Sequence, residues 1–69
     1  MIKVIKKIQD SLKENDDMLI DIIGEILQDL ENGETEKAKN TYHYHLCSDV
    51  IKTDDYSLNV LWQIGKIIG

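Results

Sequence analysis

Sixty-nine residues leave room for one domain, and a chain this short buries only about 60% of the surface that its unfolded form exposes. Thirteen acids against eight lysines set the net charge at −5, which argues against nucleic acid as a direct ligand. One cysteine, Cys47, excludes an internal disulfide and zinc-type Cys/His groupings, and no apolar run approaches the ~20 residues that span a bilayer.

The first predicted helix covers residues 2–13. Val4, Ile5, Ile8 and Leu12 form its apolar stripe, Ile2 lies at the edge, and Lys6 pairs with Asp10 one turn on. Residues 14–16 make a connection short enough to set the next helix antiparallel to it.

That next helix, residues 17–31, has the cleanest pattern in the chain. Leu19, Ile22, Ile23, Ile26 and Leu30 share a face, widened by Ile20 and Leu27 on one flank and Met18 on the other. Asp17, Asp21, Glu25 and Asp29 recur every four residues and are read as an acidic ridge opposite that face. Like charges at this spacing repel by a few tenths of a kcal/mol per pair. Asn15, Asp16 and Asp17 suit the helix start, and Gly33 suits the left-handed turn after its end.

A third helix is predicted over residues 35–52. Ala38, Tyr42, Leu46 and Val50 make one stripe, and Tyr44, Cys47 and Ile51 a second, leaving Lys37, Thr41, His45, Ser48 and Lys52 as its polar strip. Residues 41–47 are rich in β-formers, but no second strand is available to pair with them. Thr53, Asp54 and Asp55 cap a last helix, residues 55–68, whose polar strip is only Asn59, Gln63 and Lys66. Gly65 within it marks a close approach by another helix. The expected fold is therefore all-α, a small four-helix bundle in a single domain with an αα-hairpin at its start.

Helices three and four carry more apolar surface than one small core needs. The surplus is Tyr44, Cys47, Ile51, Tyr56, Val60, Trp62 and Ile67, and its expected use is self-association as a homodimer or contact with a partner. His43, His45, Cys47 and Asp49 alternate, which would bring four ligands together on a strand. On a helix only His43 with Cys47, or His45 with Asp49, converge, so no metal site is expected. A Cys47–His43 pair has the spacing of a nucleophile and base, but no oxyanion site or glycine-rich loop accompanies it, and neither catalysis nor a cofactor is expected.

These features describe a small acidic protein-binding module. The expected role is that of an inhibitor, antitoxin-like regulator or immunity factor docking on a larger cytoplasmic protein with a basic surface. Its size and composition are like those of phage- and plasmid-encoded regulators of bacterial enzymes. Lysines interrupt the N-terminal apolar residues, so no signal peptide is read there, and with the lone cysteine this favours the cytoplasm over membrane or export. Two alternatives stand beside this one. The first is a nucleic-acid mimic, because the ridge repeats every ~6 Å like a phosphate row and would block a DNA- or RNA-binding enzyme. The second is a structural or assembly subunit with no separate target.

Overall fold

The computed structural model describes residues 1–12 and 16–69. Five helices follow one another: α1 (Ile2–Asp10), α2 (Asp17–Glu31), α3 (Thr35–Leu46), α4 (Asp49–Lys52) and α5 (Asp55–Ile68). The protein is all-α, a small helical bundle with no strand among the described residues. Its radius of gyration, 11.0 Å, matches the ~11 Å of a folded chain of this length.

α2 lies between α1 and α3, and α5 packs across α1, α3 and α4. Side-chain pairs fix both neighbours of α2 as antiparallel. Lys6 Nζ reaches Glu31 at 3.3 Å while Gln9 Nε2 donates to the Ile20 carbonyl at 3.0 Å. On the other side Lys37 lies 3.8 Å from Asp29, and His45 lies 3.4 Å from Glu25. Lys6 thus pairs with Glu31 across the helices rather than with Asp10 along its own.

The core is mainly aliphatic: Ile5, Leu19, Ile23, Ile26, Ile51, Leu61 and Ile64 are its largest fully buried side chains. In α1 the stripe turns away from Val4, which is half exposed, and centres on Ile5 with Ile2, Ile8 and Leu12 partly covered. α1 itself ends at Asp10, so Lys13 of the expected span lies outside the described residues, as do Glu14 and Asn15 of the connection. α2 ends as the sequence predicts. Gly33 has φ +76°, its N–H donates to the Leu30 carbonyl at 3.1 Å, and Glu34 N–H donates to the Asp29 carbonyl at 2.9 Å. Those two bonds are the paired Schellman contacts that satisfy the last carbonyls of a helix. At its start Asp16 is the N-cap residue, without a side-chain capping bond.

The third predicted helix is two helices. Ser48 takes an extended conformation (φ −68°, ψ 137°) after Cys47, and α4 restarts at Asp49. The break reverses the exposure of two neighbours. An unbroken helix would bury Val50 in line with Ala38, Tyr42 and Leu46. Instead Val50 is 59% exposed and Ile51 is 1% exposed. Thr53 Oγ1 then closes α4 by donating to the Asp49 carbonyl at 2.7 Å. Asp54 caps α5, accepting from Tyr56 N–H at 3.2 Å and from Ser57 Oγ at 2.9 Å. This network satisfies Ser57, one of the few buried polar residues.

Val60 is buried and Ile67 partly buried, so with Ile51 they leave the surplus apolar set. Gly65 has the role foreseen for it. A Cβ there would stand 2.7 Å from Cζ of Tyr42, whose ring α3 lays over the glycine backbone.

The break makes the two neighbours distinguishable by mutation. Ile51→Ala should cost about 2–4 kcal/mol in urea denaturation, through lost burial and a cavity. Val50→Ala should change stability by no more than about 0.5 kcal/mol. Equal costs would mean that residues 35–52 form one continuous helix in solution.

Candidate functional site

Among the described residues the most exposed large hydrophobic is Tyr44, at 76%, and it stands where a second apolar stripe was expected. Ala38 and Tyr42 of the first stripe are buried as expected, but the second stripe and the polar strip of α3 have changed places. Ala38, Tyr42, Thr41 and His45 lie toward the interior, while Tyr44 and Cys47 face water. The cause lies on α2, whose carboxylates take the polar strip of α3 as partners. Thr41 Oγ1 donates to Asp29 Oδ2 at 3.2 Å, and His45 Nε2 approaches Glu25 Oε2 at 3.4 Å. His45 is therefore partly covered rather than fully solvated, and Cys47 is an exposed free thiol rather than a small buried group.

These contacts also break the ridge. A step of four residues advances 400° around a helix, so each acid slips about 40° from the last. Asp17 and Asp21 remain in water, Glu25 is exposed but tied to His45, and Asp29 arrives beside the core. Asp29 is buried, held by Thr41 and at 3.8 Å by Lys37, which also reaches Glu34 at 3.8 Å. The exposed negative surface of α2 is therefore Asp17, Asp21 and the His45-tied Glu25, while Asp29 joins the α2–α3 interface.

Two grooves result. The larger, of about 890 Å³, runs along α2, α3 and α4. Met18, Tyr44 and Val50, all large apolar side chains left exposed by the fold, line it. Asp21, Glu25 and His45 supply its polar edge, and Cys47 and Ile51 complete its apolar lining. Of the residues singled out from the sequence, it gathers Asp21, Glu25, Tyr44, Cys47 and Ile51. It does not include Tyr56, Val60, Trp62 or Ile67, which belong to α5. Met18 and Val50 were read as core-facing. Ser48-Asp49, a helix-start signal inside an apolar pattern, was the clue that Val50 would turn outward.

The smaller groove, of about 410 Å³, separates α3 from α5 and is lined by Tyr42, Trp62, Lys39 and Lys66 among others. His43 borders both grooves. Burial raises the Tyr42 hydroxyl above its ordinary value of about 10. Tyr56 is raised too, first by desolvation and then by the Asp16 carboxylate, to which its hydroxyl donates, and by Asp54. Among the described residues no three His, Cys, Asp or Glu side chains gather as a metal-holding group, and no helix is long and apolar enough to cross a membrane.

Comparison with known proteins gives no match to a family model, a curated protein or a solved structure.

Two outcomes follow from these geometries. Asp29→Ala strands the Thr41 hydroxyl and removes a partner of Lys37, and should lower stability by about 1–2 kcal/mol. Asp17→Ala, in open water, should lie within about 0.5 kcal/mol of the parent in the same denaturation series. Because the fold favours neutral Tyr42, the native state holds more protons than the unfolded chain once pH exceeds about 10, and stability falls there. Tyr42→Phe should flatten that alkaline decline in the urea midpoint and leave the profile below pH 9 unchanged.

Proposed function

We propose that this chain is a small acidic protein-binding module, an inhibitor or regulator that docks on a larger protein through the α2–α3–α4 groove. One observation carries the reading: Met18, Tyr44 and Val50, three large apolar side chains left in water, converge on a single groove edged by Asp21 and Glu25. Isolated exposed apolar residues are ordinary, whereas a gathered set beside charge is the composition of an interface core and rim. A tyrosine in the lining also suits the role, since aromatic anchors dominate binding energy. The partner that fits presents apolar side chains flanked by lysine or arginine. The free thiol of Cys47 accords with a reducing compartment such as the cytoplasm.

Pairing of two copies across this groove is a weaker form of the same reading. A self-complementary contact sets the same surface against itself, acids included, which is unfavourable at low salt. The nucleic-acid mimic loses its fourth repeat, since Asp29 is committed to Thr41 and Lys37.

The test uses a synthetic amphipathic helix of leucine and lysine as the probe. It should bind saturably, and amide resonances of Met18, Tyr44 and Val50 should move on titration. Tyr44→Ser should weaken it about tenfold, and an Asp21→Lys, Glu25→Lys variant should weaken it further at low salt. A matched leucine–glutamate helix should not bind. Equal binding of both peptides, or shifts spread away from the groove, refutes the reading. Light scattering should give a mass near 8.0 kDa at low salt. A mass near twice that would make the second copy the occupant.

A further inference from the structure

The α3–α5 groove differs in kind from the acidic one. Among the described residues, no aspartate or glutamate lines this groove. Lys39 comes to it from α3 and Lys66 from α5. Neither lysine takes part in an ion pair among the described residues, whereas Lys6 and Lys37 both do. The apolar part of the lining is Tyr42, Trp62 and Ile68. Trp62 is the single tryptophan, and it stands 53% exposed on α5 instead of joining the core. Tyr42 is positioned by Gly65, because no side chain larger than hydrogen leaves room for its ring tip.

Each of these features selects among ligands. A volume of about 410 Å³ lies in the ~300–1,000 Å³ range of small-molecule sites. The half-exposed indole of Trp62, beside the buried edge of Tyr42, favours a flat aromatic body, by offset or edge-on stacking. Two unpaired ammonium groups on opposite helices, in a lining without an Asp or Glu side chain, favour negative charge. Lysine offers a point charge rather than the bidentate fork of arginine, and so suits one compact anionic group.

We propose that the α3–α5 groove binds a small, flat aromatic monoanion, its ring against Trp62 and its charged group between Lys39 and Lys66. The site shares only His43 with the acidic groove and draws its ring and lysine contacts from other residues, so it stands whether or not that groove binds a protein.

The probe is 2-naphthoate, with neutral 2-naphthamide as its control, each titrated into the full chain by calorimetry and by NMR of the Trp62 indole N–H. Naphthoate should bind with 1:1 saturation and move the Trp62 indole and Tyr42 resonances. Naphthamide should bind on the order of tenfold more weakly, and naphthoate affinity should fall with added salt. A Lys39→Gln, Lys66→Gln variant, altered only at residues outside the core, should bind naphthoate about tenfold more weakly and naphthamide unchanged. Gly65→Ala should drive the Tyr42 ring tip aside and weaken both compounds. Three results overturn the proposal: no saturable movement of the Trp62 signal, equal affinity for acid and amide, or shifts centred on Tyr44 and Val50.

Discussion

The extended backbone at Ser48 is the constraint on which the working surface depends. It ends α3 at Leu46, tilts the chain into the single turn of α4, and exchanges Val50 for Ile51 in the core. One unbroken helix would have continued the Ala38–Tyr42–Leu46 stripe and taken Val50 inside. With the break, Ile51 fills the interior beside α5, and Val50 turns out to meet Tyr44 and Met18. The larger groove exists because the backbone changes direction at that one residue.

The second organising influence is the demand of α2 for partners. Its aliphatic face belongs to the core cluster that also holds Ile5, Leu61 and Ile64. Its carboxylates at positions 25 and 29 are served by α3, which turns Thr41 and His45 toward them and Lys37 alongside. A buried polar atom without a partner costs more than a hydrogen bond returns, so satisfying Asp29 outweighs hiding Tyr44. Exposure of an aromatic ring at the surface is thus a consequence of pairing in the interior. The charge pattern follows as well: acids remain on the α2 side of α3, and unpaired lysines flank the α5 side.

Much of the fold was legible because its signals are local. Ile22, Ile26 and Leu30 repeat at helical spacing, Gly33 supplies the positive φ of a Schellman turn, and Asp54 is a capping residue ahead of an apolar run. Gly65 was readable too, since a glycine inside a helix has to be explained by something that approaches it. The site was legible only in its ingredients. Asp21, Glu25, Tyr44 and Cys47 were named from their types and spacing, but they were assigned to separate surfaces that the fold has joined into one. Trp62 and Tyr56 were grouped with them and lie elsewhere.

By itself, then, the sequence determined an all-α chain, the spans of α2 and α5, the turn at Gly33 and the excess of acid. Each depends on residues within a few positions of one another, through periodicity, capping or φ preference. Tertiary structure alone decided that Asp29 leaves the ridge for Thr41, that Met18 stays in water, and that Lys39 and Lys66 line one groove. Those outcomes depend on which face of one helix a distant helix occupies. A wheel drawn for a single helix gives the angle between two residues but not the side from which a neighbour arrives.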